Sequence, residues 1–302
     1  MTDMTAYEDK LNKYVSEFNA FAVSETERFF AIPEVSFGSS LMSEAMTYSL
    51  MNSGKRIRPV ICLEFCRLCS GDYKSALPFA LAIEMVHTYS LIHDDLPCMD
   101  DDDMRRGRPS NHKVYGYANA LLAGDALLTL AFEEIASSSL DCDKKIKAVA
   151  ALSGAAGYRG MVAGQVMDLR NESIKADMDN VRFTDELKTG EMIKVSAVLG
   201  CIAAGENGAK LEAAIEYCKN IGLAFQIVDD ILDVTGSTET LGKEVGSDEK
   251  SGKSTYVSLL GVEKAEALAN GLTQKAVSAL EVFGEEGGFL RQLAFNLSER
   301  KN

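Results

Sequence analysis

The chain has 302 residues, of which 46% are hydrophobic and 25% charged, so it can bury a large core. Its 45 acidic and 31 basic side chains leave a net charge of −14, which would repel nucleic acid and an anionic membrane surface alike. We therefore expect neither nucleic acid nor a membrane as a partner.

The cellular compartment is predicted from the start of the chain and from its cysteines. The first residues, MTDMTAYEDK, have neither the basic nor the apolar region of a secretory signal. Glu84, His87 or Asp125 interrupts the longer apolar stretches before they reach about 18 residues. The seven cysteines, an odd number, do not suggest a disulfide framework. We expect a soluble cytoplasmic protein.

Apolar residues recur at helical spacing through most of the chain. Helices are predicted over residues 76–96, 117–138, 143–170, 184–204, 208–235 and 262–283. The segment ALPFALAIEMVHTYSLI is apolar nearly all round, which is typical of the central helix of a bundle. Because no linker interrupts the pattern, we predict one all-α domain, a large helical bundle over residues 1–302.

The first motif in chain order is a set of cysteines in PVICLEFCRLCSG. Cys62, Cys66 and Cys69 have the CxxxCxxC spacing of the four-iron cluster in radical S-adenosylmethionine enzymes. The same segment has apolar residues at helical spacing, a proline suited to a first turn and a glycine suited to a C-cap. We interpret the cysteines as a buried stripe on one helix face and keep the radical enzyme as a remote alternative.

Six aspartates lie between Asp94 and Asp103, directly after the most apolar helix. Asp94 and Asp100 are six positions apart, so an unbroken helix would place them on different sides. Pro97 disfavours helix continuation, and we expect LPCM to bulge out and let Asp100 rejoin Asp94.

A second acidic run lies in FQIVDDILDV, residues 225–234. Asp229 and Asp233 share one face of an otherwise apolar helix. Carboxylates in such a place need a counter-charge, which a hard divalent cation with oxygen ligands supplies. The two runs together indicate a metal site, and the alternative for each run alone is a solvated face.

The longest irregular stretch is predicted at residues 235–255, and a loop of this length is usually functional. Its segment GSDEKSGKS imitates a Walker phosphate loop, but Ser247 stands where that pattern needs glycine. No strand leads into it. We therefore do not expect a nucleoside triphosphatase.

Seven segments together resemble the trans-polyprenyl diphosphate synthases, and most of all the bacterial farnesyl diphosphate synthases. In chain order they are GKRIRP at 54–59, HTYSLIHDDLPCMDDDDMRRGRP at 87–109, LAGDALL at 122–128, GMVAGQVMDL at 160–169, KTG at 188–190, FQIVDDILDV at 225–234 and LGKEVGSDEKSGKSTY at 241–256. The resemblance implies the isoprenoid synthase fold, an all-α bundle around a central active-site cavity. It also implies a homodimer.

The resemblance further implies a head-to-tail prenyltransferase that uses Mg²⁺. Such an enzyme condenses dimethylallyl or geranyl diphosphate with isopentenyl diphosphate and releases pyrophosphate. By similarity, three Mg²⁺ ions are expected on Asp94, Asp100 and Asp229. The aspartates expected to hold metal-bound water are Asp95, Asp230 and Asp233.

The resemblance also assigns the other groups of the two substrate sites. The groups expected at the allylic diphosphate are Arg105, Lys188 and Lys243, with Thr189 and Gln226 facing the allylic cation. The groups expected at isopentenyl diphosphate are Lys55, Arg58, His87 and Arg106. For Lys55, Arg58 and Lys243 the alternative is an ordinary solvated charge, and for His87 it is a core histidine.

Product length is predicted from the helix that ends at Asp94, because the growing chain extends along it. On an ideal wheel Ser90 lies more directly under Asp94, but it is too small to stop a chain. The farnesyl synthases that this chain resembles have an aromatic residue at the position of Tyr89. We predict Tyr89 as the floor and farnesyl diphosphate as the product. The segment also resembles plant geranylgeranyl synthases, so a twenty-carbon product is the alternative.

Two more distant alternatives share parts of this pattern. A class I terpene cyclase needs serine or threonine in its second metal motif where this chain has Asp233. A non-catalytic prenyl-binding subunit would have lost Asp or Lys groups, and none of them is missing.

Overall fold

The computed structural model describes residues 2–31, 37–171, 173–236 and 254–300. The helices of this part of the chain are α1 (Thr2–Phe30), α2 (Phe37–Leu50), α3 (Ile57–Ser70), α4 (Leu77–Asp94), α5 (Asn111–Tyr115), α6 (Tyr117–Ser137), α7 (Cys142–Ala156), α8 (Met161–Asn171), α9 (Met178–Asp185), α10 (Glu191–Ala204), α11 (Ala209–Thr235), α12 (Tyr256–Leu260), α13 (Val262–Ala279) and α14 (Gly288–Ser298). Three further helical segments are the 3₁₀ turns Lys74–Ala76 and Leu280–Gly287 and the π turn Glu186–Gly190. The strands of the described residues are β1 (Met104–Arg105) and β2 (Arg108–Pro109), which pair antiparallel.

The predicted all-α fold is confirmed, but one predicted helix is wrong. Residues 143–170 were predicted as one helix but form two, α7 and α8, which the GYRG segment separates. Gly157 is in an extended conformation, and its N–H donates to the Ser153 carbonyl oxygen at 3.0 Å. After the break, α8 places Gln165 beside Asp94 and Asp168 beside Lys188.

The centre of the bundle is α4, which packs against α3, α6 and α10. Most of its side chains are buried, as expected from its apolar composition. By length and composition alone, Lys74–Asp94 is the one helix of the described residues that could cross a membrane, and 67% of that window is buried inside the bundle. Such burial is typical of a core helix.

Two clusters of buried apolar side chains hold the helices together. The larger one extends from α1 to α14, and the smaller one joins α9, α11, α12 and α13. Helix α11 contributes to both clusters. This sharing supports the single-domain prediction, which stays a prediction.

Candidate active site

The first acidic run forms a loop that closes on the end of α4. The N–H of Met99 donates to the Leu96 carbonyl oxygen at 2.8 Å, and the N–H of Asp100 donates to the carbonyl oxygen of Asp94, also at 2.8 Å. The bulge predicted from Pro97 is therefore confirmed. It places two carboxylates beside each other where an unbroken helix would separate them.

Asp94 has an unusual electrostatic environment. Its carboxylate accepts a hydrogen bond from the Gln165 amide. Burial raises the pKa of Asp94 to about 6, and the neighbouring Asp100 adds to the rise, although Lys188 opposes it. A half-buried carboxyl beside a second carboxyl gains from added positive charge, and an all-oxygen pair of this kind suits a hard divalent cation.

The adjacent Asp95 has a different partner. Its side chain is 3% exposed and accepts hydrogen bonds from the Arg105 guanidinium, one of them from Nε at 2.8 Å. Arg105 lies on β1, so the short hairpin presents this guanidinium to the cavity. Asp95 thus orients Arg105, whereas the sequence analysis assigned it to metal-bound water.

Three residues near the site have left-handed backbone conformations. The φ angles are 50° at Arg56, 52° at Asp101 and 54° at Arg106. Such angles cost non-glycine residues on the order of 1 kcal/mol or more and cluster at functional sites. The Arg106 guanidinium donates to the Ser53 carbonyl oxygen at 3.0 Å, which ties the hairpin to the GKRIRP segment.

All three basic residues of GKRIRP border the cavity, but Arg56 is also tied into the core. Lys55 and Arg58 line the cavity. Arg56 is buried and forms an ion pair with Glu84 of α4, with 2.5 Å between Nη1 and Oε1. It also donates to the carbonyl oxygens of Leu50 and Asn52. Arg56 is therefore a structural residue that fixes the start of α3.

His87 lies against Arg58, with 3.4 Å between His87 Nε2 and Arg58 Nη1. Since a guanidinium only donates, Nε2 accepts and the imidazole carries its proton on Nδ1. Burial lowers the pKa of His87 well below its usual value, and the neighbouring arginines lower it further. His87 is therefore neutral near pH 7, and because it lines the cavity, the functional interpretation is favoured over a core histidine.

Lys188 and Thr189 lie in the π turn between α9 and α10, and both line the cavity. π turns often mark functional sites, because the wider turn changes which side chains face a neighbour. Lys188 Nζ is 2.7 Å from Asp168 Oδ2 of α8. A Cβ at Gly164 would lie 2.3 Å from the backbone nitrogen of Lys188, so α8 can approach this turn only with glycine at position 164.

The sequence analysis gave no role to three residues of GMVAGQVMDL that shape the site. Gln165 contacts Asp94, Asp168 contacts Lys188, and Gly164 permits the approach. Gln165 and Asp168 stand at i and i+3 on a helix. That spacing of polar residues is a signal that could have found them.

The second acidic run supplies Asp229 and Gln226 to the same cavity. Asp230 accepts a hydrogen bond from the Tyr256 N–H at 2.8 Å and lines an adjoining recess with Lys188 and Gln226. Asp233, one turn after Asp229 on α11, lines neither the cavity nor this recess. The two acidic runs therefore meet at one cavity through Asp94, Asp100 and Asp229.

Arg300 is a site residue that the sequence did not reveal. Its guanidinium donates to Asp229 and to the Phe225 carbonyl oxygen, and it lies 3.9 Å from the centroid of the Phe225 ring. The pKa of Lys55 is lowered by burial and next by Arg300, so these two cations are neighbours. A lone arginine after the last helix has no pattern that would mark it.

The cavity has a volume of about 750 Å³. The predicted residues that line it are Lys55, Arg58, His87, Asp94, Asp100, Arg105, Arg106, Lys188, Thr189, Gln226 and Asp229. Its apolar lining consists of Ile57, Ile61, Leu91, Met104, Ile193, Ile221, Phe225 and Leu297. A charged surface thus adjoins an apolar one, which suits a ligand with an anionic head and a hydrocarbon tail.

The three aspartates predicted to hold metal-bound water are not in this lining, and Lys243 and Tyr89 are not among its residues either. Lys243 lies outside the described residues. Tyr89 is buried, and its ring packs edge-on against His93, with 5.6 Å between the ring centroids. Burial raises the pKa of Tyr89 to about 12. Tyr89 therefore does not form the floor of the described cavity, and its role in product length stays a prediction.

A second group of possible metal ligands was not predicted. Ligand atoms of Asp101, Asp103 and His112 lie within 4.8 Å of one another. Asp103 already forms an ion pair with Lys113, with 2.6 Å between Nζ and Oδ1. The described geometry thus favours Asp94 and Asp100, which both line the cavity, for a divalent cation.

Comparison with known proteins decides the family. The polyprenyl synthetase family model matches residues 39–282. The chain belongs to the polyprenyl synthetase family. This polyprenyl synthetase is therefore a prenyltransferase with the all-α fold of its relatives, and isoprenyl diphosphates are the substrates of the family.

Three similar proteins illustrate the relationship. Heterodimeric geranylgeranyl pyrophosphate synthase large subunit 2 of Arabidopsis thaliana is 42% identical over 279 residues, which cover 90% of this chain and 74% of that protein. The apo crystal structure of an FPP/GFPP synthase from Zymomonas mobilis has a TM-score of 0.80, 36% identity, and coverage of 94% and 98% of the two chains. The geranyltransferase of Helicobacter pylori, complexed with magnesium and isoprenyl diphosphate, has a TM-score of 0.82, 30% identity, and coverage of 98% and 96%.

The cysteine motif of this polyprenyl synthetase is a packing feature. Cys62 and Cys66 are buried within α3, and Cys69 is half-buried at its end. The interpretation as a buried stripe is confirmed. A helix that buries two of the three thiols cannot wrap an iron–sulfur cluster.

Proposed function

We propose that this polyprenyl synthetase condenses an allylic diphosphate with isopentenyl diphosphate and that its main product is geranylgeranyl diphosphate. The observation that carries the proposal is the cavity in which both acidic runs and the basic residues adjoin an apolar wall. Ionising an allylic diphosphate needs this combination of charge at the leaving group and dryness at the hydrocarbon.

The allylic site is proposed around Asp94, Asp100 and Asp229, which supply oxygen ligands for Mg²⁺. Three ions are expected from the family resemblance, and magnesium is named for the similar Helicobacter pylori protein. When bound, the metal neutralises the charge that develops on pyrophosphate as the C–O bond breaks. Arg105 and Lys188 bind the same diphosphate, and each is held in place by an aspartate.

The protein also positions the allylic group after ionisation. Thr189 and Gln226 lie in the cavity lining beside Lys188, where their oxygen dipoles can face the cation. The apolar wall excludes water, which would otherwise capture the cation.

The isopentenyl diphosphate site is proposed at Lys55, Arg58, His87 and Arg106. The cations bind the diphosphate directly, and neutral His87 donates a hydrogen bond from Nδ1 to it. The double bond then attacks the allylic cation, and the proton that is lost passes to the departing pyrophosphate. No side chain is required as the base.

A twenty-carbon product is favoured by the relatives and by the cavity. The Arabidopsis thaliana protein, 42% identical, is named as a geranylgeranyl synthase subunit. Tyr89, the aromatic residue predicted to stop the chain at fifteen carbons, does not line the described cavity. Farnesyl diphosphate is the second candidate, because the similar Zymomonas mobilis structure is named for FPP and GFPP.

The product assay tests both levels of the proposal. The enzyme is incubated with isopentenyl diphosphate, Mg²⁺ and either dimethylallyl, geranyl or farnesyl diphosphate, and the dephosphorylated products are separated by chromatography. We expect geranylgeraniol from each primer. Farnesol as the end product would overturn the chain length and support Tyr89, in which case Tyr89→Ala should lengthen the product. No condensation with any primer would overturn the prenyltransferase reaction itself.

We also propose a dimer of this chain. Exposed apolar residues form two groups, Tyr117, Leu121 and Leu122 on α6 and Val162, Val166 and Leu169 on α8. Exposed apolar surface of this kind commonly marks an interface with another protein. Light scattering after size exclusion tests it: twice the chain mass supports a homodimer. The Arabidopsis thaliana relative is named as the large subunit of a heterodimer, so the alternative is a dimer with a different chain. In that case the isolated chain would be a monomer.

The cytoplasmic location is likewise a proposal. All seven cysteines are free thiols, as in a reducing compartment. Fractionation of the source cells with an antibody to the chain would test it.

A further inference from the structure

Two helices that start at the active site end side by side at a pair of thiols. Helix α3 holds the cavity residue Arg58 in its first turn, and α10 follows the π turn that holds Lys188. The helices approach closely, because a Cβ at Gly200 would lie 2.2 Å from the Cys62 carbonyl oxygen. Near their C-terminal ends, Cys69 Sγ and Cys201 Sγ are 3.9 Å apart.

The two thiols differ in access and in charge. Cys69 is half-buried, whereas Cys201 is fully buried. A hydrogen bond from Cys201 lowers the pKa of Cys69, and the Lys210 ammonium lowers it further, although burial and Glu206 oppose this change. The same hydrogen bond raises the pKa of Cys201. Lys210 is held nearby, since its Nζ donates to the Leu68 carbonyl oxygen at 3.0 Å. Cys69 is thus the accessible nucleophile, and Cys201 is the second thiol beside it.

We propose that Cys69 and Cys201 form a modification site, which a hydroperoxide oxidises to an intramolecular disulfide between α3 and α10. This inference does not depend on the proposed function. It stands on the sulfur–sulfur contact, on the exposure of one thiol of the pair, and on the cation next to it.

The reaction balances with a hydroperoxide as the oxidant. The Cys69 thiolate attacks the terminal peroxide oxygen, the O–O bond breaks, and the alkoxide or hydroxide that leaves takes up a proton. Cys69 is then a sulfenic acid. The Cys201 sulfur attacks the Cys69 sulfur, the S–O bond breaks, and hydroxide leaves with the Cys201 proton as water. Two thiols lose two electrons, and the peroxide gains them.

The geometry favours this pair over the other thiols. A disulfide needs about 2.05 Å between sulfurs, so the pair must close by roughly 2 Å. Cys69 lies in the last turn of α3, directly before Ser70 and Gly71, where the helix ends. Cys66, by contrast, is buried and bonds to the Asp72 carbonyl oxygen at 3.2 Å.

The test uses the full-length reduced protein and hydrogen peroxide at stoichiometric amounts. Remaining thiols are alkylated, and the peptides are analysed by mass spectrometry. We expect a cross-linked peptide pair containing Cys69 and Cys201, which a phosphine reductant separates again. The midpoint of thermal unfolding should rise by about 5 °C, because the cross-link restricts the unfolded chain.

Variants separate the proposal from general thiol oxidation. In Cys201→Ala the reaction should stop at the sulfenic acid of Cys69, which dimedone traps. Cys142→Ser, a change at an exposed thiol of α7, should leave the cross-link unchanged. The proposal is overturned if Cys69 stays reduced while Cys98 and Cys142 react. It is overturned equally if wild-type Cys69 accumulates oxygen adducts without joining Cys201.

Discussion

At the residue scale, the carboxyl of Asp94 concentrates the electrostatics of the site. It is half-buried, it is next to Asp100, and its pKa is raised to about 6. Arg105, Lys188 and Arg300 each pair with an aspartate of the site region. The carboxylates of the acidic runs therefore have two roles. Some of them orient basic side chains, and others offer oxygen ligands for a metal ion.

Loss of a proposed metal ligand should remove activity and keep the fold. Asp94→Ala and Asp229→Ala should each lower turnover by about a thousandfold, since stabilisation of the leaving group is the dominant contribution to catalysis. Steady-state kinetics and thermal unfolding measure the two effects. Asp143→Ala, at an aspartate 74% exposed, is the matched control and should keep wild-type turnover. Near-native turnover in Asp94→Ala or Asp229→Ala would contradict the site.

Metal binding should weaken in acid. Only the deprotonated Asp94 carboxylate binds a cation, so with a pKa of about 6 the affinity falls as the pH drops below that value and levels off above it. At pH 5 we expect Mn²⁺, used as a probe without diphosphate, to bind about tenfold more weakly than at pH 7.5. Electron paramagnetic resonance of unbound Mn²⁺ measures this. An equal affinity at the two pH values would show that Asp94 is not a ligand.

At the element scale, the contact between α8 and the π turn controls where Lys188 lies. Gly164→Ala should force α8 and the π turn apart, because the added Cβ would lie 2.3 Å from the backbone nitrogen of Lys188. We expect a loss of about 1–3 kcal/mol in the free energy of unfolding and a fall in turnover. Gly154→Ala on α7 is the control. Its Cβ meets nothing within 4 Å, so it should keep activity and unchanged or higher stability.

Local signals predicted some elements and missed others. Pro97 predicted the bulge between Asp94 and Asp100, because a proline restricts the backbone of only the few residues around it. The π turn at Lys188 carries no such signal, since its residues also suit an ordinary helix. Tyr89 was chosen from the family resemblance, whereas the ideal wheel favoured Ser90. Which face of α4 meets the cavity depends on the packing of the helices around it.

At the scale of the whole molecule, the site is coupled to the core by the Arg56–Glu84 ion pair. Both side chains are 4% exposed, so removal of one partner leaves a buried charge without compensation. Glu84→Ala should lower the free energy of unfolding by about 3–5 kcal/mol, measured by urea denaturation. The exposed pair of Asp143 and Lys147 offers a comparison, because Asp143→Ala should change the stability by less than about 0.5 kcal/mol. Equal effects would contradict the assignment of Arg56 to the core.

The overall architecture was predictable from sequence, because the helical periodicity and the seven motifs together extend over most of the chain. Arg300 was not, since its position beside Asp229 exists only after α14 has packed against α11. Such long-range contacts join residues about seventy positions apart without a pattern in either segment.

The pairing of Arg300 with Asp229 has a thermodynamic consequence for the order of ligand loading. A cation that coordinates Asp229 must first displace the guanidinium, so metal alone should bind weakly. Once displaced, Arg300 can contact an anion instead, and its neighbour Lys55 already lines the cavity. Metal and diphosphate should therefore each raise the affinity for the other by the same factor, as linkage requires. Arg300 would then act as a resident counter-ion of Asp229 that makes the two ligands bind cooperatively.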